Sequence, residues 1–485
     1  MSRKEILIVF SLCATVLFFA CSEENDLTFD RVHQKVKQET AANSFDKAFV
    51  SKEQAIGLAE SFFGQQTNET TLRSANRQRS IASIETLQDQ NHPVMYVLNY
   101  EEGGFAIISA TRSYYPVLAY SDENSFILSE DMGGVSVWLD ETKEAIKVSD
   151  KLDEKAKATI RTMWTIYEGA EGWATSNVTL RRYDPLMAAA FATRSNQLYL
   201  QYGPLGWYGV YSLEEAEYYF TPMDYATLCQ TATSYGSPPE YTIIVLKPNY
   251  TMQTIGPLLS TKWHQGNPFN SQIPLSVDAG CATIALSQIM KFHRKPALVT
   301  SPSNHHYNWD NMPDSGAPSG SSTPYLIHHV AKAIHSIPLP PFGTLALPLD
   351  VELAIRYTFG YSVSRSAHNS GFVWTEVFSN KNPVMMLGFT GGMTGHYWVC
   401  DGARANQNIT TFFIEFINPN NYTYYSSSSG WNPSNPGVSV NGTGPTEYNM
   451  NWGWGGSCNG WFINNDVNSG LGNFQYSREN YYIRK

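Results

Sequence analysis

From Ser51 onward the apolar positions fall first at helical spacing. Ala55, Leu58, Ala59, Phe62 and Phe63 line one face of a helix, Ser51 and Gln54 stand in the capping-box arrangement, and Gly64 is placed to stop it. Residues 65–90 are polar. Two apolar runs, Pro93–Tyr100 and Phe105–Ala110, flank a Gly-Gly turn as a strand hairpin, and Val117–Tyr120 adds a short strand. A small α/β unit over about 50–130 follows from this pattern. Trp138 to Glu168 reads as charged and helical, with Glu154, Lys155, Lys157 and Arg161 outward. From Trp173 to Tyr241 the chain is Gly/Pro/Tyr-rich and irregular, with a short helix around Leu213–Tyr219. Tyr241–Leu246 reads as a strand and Lys247-Pro248-Asn249-Tyr250 as a boundary. Beyond it, Ile284, Ala285, Leu286, Ile289 and Phe292 give a helix from Cys281 to His293 its buried face, with Asp278 placed to cap it. Tyr397–Cys400 is a strand entered from the glycine-rich turn Gly388–Gly395. The Ser/Gly/Pro-rich stretches 313–323 and 425–445 read as surface loops, and no internal repeat appears.

The N-terminus changes the setting. Arg3 and Lys4 precede an apolar run from Ile6 to Ala20, too short for the about 20 residues of a membrane span and typical of an export signal. Ala20-Cys21 followed by SEEND has the form of a lipoprotein cleavage site with Cys21 as the lipidated residue. Ordinary secretion with cleavage nearby is the alternative. The expected organisation is a signal at 1–21, a flexible tether at 22–50, one region from 51 to 247 and a second domain from 248 to 485. The expected location is the outer membrane or cell surface, held by a lipid on Cys21, with release of a mature form possible.

Composition narrows the chemistry. The 485 residues carry a net charge of −10 and no basic run, which argues against nucleic acid as a partner. The 29 Tyr, 24 Phe and 12 Trp suit a β-rich exported protein. Apart from Cys13 and Cys21, only Cys229, Cys281, Cys400 and Cys458 remain, without CxxC spacing, so neither a zinc site nor a disulfide framework is expected. The histidines at 305, 306, 328, 329 and 335 lack the carboxylates or thiols that would complete a metal site. No metal and no cofactor is expected.

Two residues preceded by glycine then stand out, Cys281 in GCATIALSQIMKFH and His396 in GHYWVCDGA. A thiol at a helix N-terminus feels the positive end of the helix dipole and its unpaired N–H groups. Beside an imidazolium its pKa falls from about 8.5 to roughly 3–4, giving the thiolate that attacks carbonyls. A histidine at a strand mouth can reach such a helix start across a cleft. Gln265, ahead of Cys281 in WHQGNPFN, can donate to an oxyanion beside the Cys281 backbone N–H. In NMNWGWGG, the Asn451 amide can orient the imidazole, with the indoles of Trp452 and Trp454 packed to exclude water.

These segments together resemble the streptopain family of papain-clan cysteine peptidases. Five stretches carry the likeness in order: WHQGNPFN, GCATIALSQIMKFH, HYNWDNM (His306–Met312), GHYWVCDGA, and NWGWGG followed by NGWF. The resemblance implies an α+β papain-like catalytic domain, with a helical part packed on an antiparallel sheet, preceded by a small α/β prosegment domain. It implies Cys281 as nucleophile, His396 as general base and then acid, and Gln265 in the oxyanion hole. Asn451, Trp452 and Trp454 would support the histidine, the direct contact being left open. SKEQAIGLAESFF and YVLNYEEGGFAIISATRSYYPVLAYSDE resemble the family's prosegment, with its core at about 51–130 and a junction anywhere in about 235–257. The family default is an apolar P2 side chain. Three stretches depart from the pattern: 131–240 has no clear counterpart, 404–447 is longer, and Ile337–Val351 lacks the usual Ser/Gly-rich loop.

The expected function is therefore a thiol endopeptidase made as an inactive precursor. Its partners are protein or peptide substrates, its own prosegment as intramolecular inhibitor, and a membrane through the lipid on Cys21. Two other classes compete. A catalytically inactive surface binding module would leave every chemistry-bearing position filled without purpose, and a stand-alone inhibitor of other peptidases would leave the residues after 248 idle.

Overall fold

A computed structural model describes residues 48–66, 79–129, 132–168, 184–203, 207–213, 220, 222–296, 298–299, 305–338, 344–389, 395–426, 438–465 and 478–485. By its contacts the chain divides at Phe49/Val50, and all that follows concerns Val50–Lys485. The signal-like run and Cys21 lie outside the described residues, as do the turn at 390–394 and most of the helix expected at 213–219.

The expected α+β class is observed. Helix α1 (Lys52–Gln66) is capped as its sequence demands: the Gln54 side-chain oxygen accepts from Ser51 N at 2.9 Å, and Ser51 Oγ accepts from Gln54 N at 3.3 Å. Its apolar face, Ala55 to Phe63, is buried on a meander of β1 (Ile81–Asp89), β2 (His92–Tyr100), β3 (Phe105–Ser109) and β4 (Val117–Ser121). β1 falls in the stretch read as polar. It is a half-exposed outer strand with no clean alternation for the sequence to show. The stretch expected to be helical at 138–168 forms two helices, α2 (Gly133–Lys147) and α3 (Glu154–Glu168), separated by a short 3₁₀ turn at Ser149–Lys151.

Next come α4 (Pro185–Tyr202), β5 (Tyr208–Ser212), α5 (Pro222–Ser234) and β6 (Ile243–Ile255). Helix α6 (Cys281–His293) follows, and then α7 (Thr323–Ala333). Strands β7 (Ser362–Ala367), β8 (Val384–Phe389), β9 (Gly395–Ile417), β10 (Tyr424–Ser426), β11 (Val438–Asn451), β12 (Gly460–Ile463) and β13 (Glu479–Arg484) complete the chain. The later part of the stretch expected to be a loop at 425–445 is thus strand: a long hairpin lets β11 pair with β9 from Phe412 back to Val399.

Among the described residues one sheet of thirteen strands runs β1-β2-β3-β4-β12-β11-β9-β8-β13-β7, with β6 and β10 on β9 and β5 on β6. Every pairing in it is antiparallel. The N-terminal meander joins it edge to edge, through Trp461 opposite Tyr120 and Phe462 opposite Ala119. Alternation along β9 separates two cores. Tyr397 and Val399 point into the one that holds α6 and α7, while Trp398 and Cys400 point into the one shared with α1, α2 and α3. Cys229, Cys281, Cys400 and Cys458 form no disulfide.

Candidate active site

Helix α6 begins at Cys281 because Gly280 turns the chain there at φ +86°, a conformation that suits glycine. Asp278 does not cap it: the N-cap is Gly280, with no side-chain cap, and the Asp278 carbonyl accepts from Thr344 Oγ1 at 2.9 Å. The first N–H groups of α6 therefore carry no side-chain cap, beside the half-buried thiol. Gly280 and Cys281 open on a cavity of about 180 Å³, walled by Leu345, Leu347, Leu387 and Tyr397 and reached by Gly395. The stretch 337–351, which departs from the family pattern, thus supplies one wall.

Gln265 is tied into the approach to this helix. Its carbonyl accepts from Ala279 N at 3.0 Å, two residues before Cys281. On its other side the same segment holds the tryptophan motif, through a bridge of His264 with Trp454 and a bond from Gly455 N to the Trp263 carbonyl at 3.1 Å. Burial lowers the His264 pKa. One short segment thus links the start of α6 to Trp454.

Asn451 is buried and fully used. Its side-chain oxygen accepts from Gln288 Nε2 and Gly453 N, each at 3.2 Å, and its Nδ2 donates to the Thr261 carbonyl at 2.8 Å. Gln288, which sequence reasoning passed over, accepts from Thr261 Oγ1 at 2.9 Å and so ties α6 to the end of β11. Its position seven residues after Cys281, on the same helix face, was the available signal. The Trp452 indole donates to the Cys458 carbonyl at 3.0 Å and packs on Trp398 with centroids 5.4 Å apart.

His396 follows the register of its strand. Val399 lies opposite Asn451 and Cys400 opposite Met450, which brings the start of β9 to the end of β11, just before Trp454. Both rings rest on Gly133, the first residue of α2. A β-carbon built there would lie 2.7 Å from Trp454 Cζ2 and 3.0 Å from His396 Nδ1. The next residue, Gly134, is as close: a β-carbon would stand 2.7 Å from Trp398 and 2.9 Å from Trp452. The structure thus brings the strand carrying His396 to the Cys281 cavity, where Gly395 and Tyr397 line it. It seats the imidazole against α2, on the face that Trp398 shares. The Gly-Gly pair ahead of a helix was visible in the sequence but had no partner to give it meaning.

Helix α2 is fastened in this place. Trp138 Nε1 donates to the Ile463 carbonyl at 3.1 Å, and Glu141 forms a buried bidentate pair with Arg478. Around the cavity, burial and the nearby Tyr481 push the Tyr397 hydroxyl pKa up. Among the described residues no group of three His, Cys, Asp or Glu side chains could hold a metal ion. His329 Nδ1 instead meets the Tyr307 hydroxyl at 3.1 Å.

Comparison with known proteins fits this geometry. Residues 263–462 match the Peptidase C10 family, and residues 47–146 match the Spi protease inhibitor family. The segment 263–462 is thus of the C10, or streptopain, type of cysteine peptidase. The inhibitor match takes in α2, beyond the limit of about 130 expected for the prosegment core. Among curated proteins the chain is 27% identical over 261 residues to the thiol protease/hemagglutinin PrtT of Porphyromonas gingivalis. The match covers 45% of this chain and 25% of that protein, so the chain spans about a quarter of the length of the curated relative it matches. Among solved structures, a fragment of Prevotella intermedia prointerpain A aligns with TM-score 0.44 and 16% identity, over 82% of this chain and 97% of that one. Active wild-type interpain A of the same organism aligns with TM-score 0.32 and 18% identity, over 47% and 94%.

Proposed function

We propose that this streptopain-family chain is a cysteine endopeptidase made as an inactive precursor and exported from the cell. In this reading the Cys281 thiolate attacks a peptide carbonyl and the oxyanion is held by the Cys281 N–H and the Gln265 amide. His396 protonates the departing amine, and water, activated by the same imidazole, hydrolyses the thioester. The 180 Å³ cavity beside Cys281, walled by leucines, suits an apolar substrate side chain. The supporting part for Asn451 is to fix Gly453 and the end of β11, and with them Trp454 beside His396. Export rests on the apolar run before Cys21, with Cys21 as the proposed site of lipid attachment and a membrane surface as the proposed partner.

One observation carries the precursor reading: Gly133, at the start of α2, fills the space beside the His396 and Trp454 rings. While α2 stays docked it packs against the His396 imidazole, and its departure opens that side of the ring. An inactive binding module would keep the same arrangement permanently. The full chain and its Cys281→Ala variant, incubated side by side under reducing conditions and followed by intact mass, separate the two. Loss of an N-terminal piece by the wild type alone, with casein hydrolysis, supports the peptidase. If tryptic removal of the N-terminal region yields no Cys281-dependent hydrolysis of casein, the peptidase reading fails.

A further inference from the structure

Two of the three departures from the family pattern meet in space, through the later part of 131–240 and the stretch 404–447. β6 pairs with β9 along its whole length, from Ile243 opposite Glu415 to Ile255 opposite Ala403, and β5 takes its other edge at Ile243–Leu246. α4 and α5 pack on this part of the sheet through separate clusters. Phe191, Leu198 and Tyr202 meet Phe413 and Ile417 in one, and Leu228 and Ala232 meet Ile244 and Phe416 in the other. Polar contacts lock the same pieces together. Arg194 grips the buried Glu415 carboxylate with two bonds of 2.6 Å, the Tyr424 hydroxyl donates to the Tyr241 carbonyl at 2.6 Å, and Ile417 N donates to Ser237 Oγ at 3.1 Å.

The core shared with the prosegment is distinct. Its N-terminal contributions end at Tyr167 in α3, and α3 is held there by Trp164 Nε1 on the Tyr114 carbonyl and by Arg112 with Glu168. Among the described residues, none between 168 and 257 belongs to it. Thus α1 to α3 with β1 to β4 share one core, while α4 to β6 pack their cores with the β9–β11 hairpin, and α3 touches β5 and β11 where the two meet.

We propose that residues 184–255 stay with the catalytic domain when the prosegment leaves, so the processed enzyme begins upstream of Asp184. This rests on the reading of the chain as a processed precursor, and it moves the boundary from the 235–257 junction expected from the sequence. A peptidase takes an extended segment whose backbone groups are free, and such segments are surface loops rather than paired strands. β6 spends its backbone groups on β9, and at its start on β5 as well. Cutting there and removing all that precedes would bare Phe413, Phe416 and Ile417 and strip Glu415 of its guanidinium. It would also leave a long two-stranded ribbon without support, an arrangement of marginal stability.

The test uses the full chain carrying Cys281→Ala, digested under native conditions with rising amounts of subtilisin and followed by intact mass and peptide mapping. The expected result is that cuts upstream of Asp184 precede any cut in 235–257, and that peptides from 184–255 co-elute with 256–485 on a sizing column. A first cut within 235–257, or a surviving particle that holds 256–485 without 184–255, overturns the proposal. Because the added protease makes the cuts, an inactive chain reports as well as an active one. Whether the wild type processes itself bears only on the peptidase reading.

Discussion

Gly133 lies against the imidazole of His396, close enough that a single β-carbon would stand 3.0 Å from Nδ1. The helix that begins there carries its own anchors, Trp138 on β12 and Glu141 on Arg478. A loop that only covered a cleft would be displaced by any substrate. A helix packed against the histidine, and fixed at a distance by buried groups, is expected to undock as a unit.

Gly133→Ala should therefore weaken the precursor's latency. The added methyl meets Trp454 as well as His396, and the positive φ of +50° adds strain. Overpacking of this kind costs about 1–3 kcal/mol, or roughly 5- to 150-fold in the docking equilibrium. The rate at which the N-terminal piece is lost, read by intact mass, should rise by a factor in that range. An unchanged rate would mean that α2 does not hold the histidine.

Gln288→Ala should lower stability and turnover together. It leaves the Asn451 oxygen with Gly453 N alone and the Thr261 hydroxyl without its acceptor, all in buried surroundings. Each such group costs about 1–3 kcal/mol when unsatisfied. Melting temperature should fall and kcat should drop while KM for a small peptide substrate stays near its wild-type value, since Gln288 does not line the Cys281 cavity.

Asp401 should make the fold more stable in acid than in base. Its carboxyl is buried, Leu259 N donates to one oxygen at 3.1 Å, and the other oxygen has no partner. Burial raises its pKa from 3.8 to about 8. A raised folded-state value means that protons favour the folded state. The contribution is complete below pH 3.8, shrinks as pH rises, and is lost once pH passes about 8. Asp401→Asn keeps the bond from Leu259 but removes the titration. The melting temperature of the wild type should fall further between pH 5 and pH 9 than that of the variant, and identical slopes would contradict the assignment.

Arg194→Ala should loosen the β6–β9 module without touching the Cys281 cavity. Glu415 is then left buried without its guanidinium. Arg194 is itself part exposed, so the cost is about 1–3 kcal/mol rather than that of a fully buried pair. Subtilisin cleavage within 243–255 should accelerate severalfold, and Arg194→Lys should restore only part of the protection because a lysine cannot reproduce the two-pronged contact.

The local elements were mostly legible in the sequence. The capping box of α1, the hairpin of β2 and β3, and the limits of α6 at Cys281 and His293 are set by residues near one another in the chain. What the sequence hid were relationships across it. Gly133 matters because of a histidine and a tryptophan hundreds of residues later, and Gln288 because of Asn451. Lys247-Pro248 read as a break because proline withholds an N–H from a ladder. Past Leu246, however, β6 pairs among the described residues with β9 alone, and an edge strand accommodates proline. Asp278 had the right chemistry for a cap, but the left-handed turn at Gly280 gives the N-cap to the glycine.

The seam between prosegment and catalytic sheet has a bearing on solubility. Only two residue pairs join β4 to β12, and β12 is four residues long. Long bare sheet edges recruit strands from other molecules, and proteins avoid this by keeping their outer strands short. A sheet that parts at this seam bares strands of four and five residues, β12 and β4, which limits the template that opening would offer to other chains.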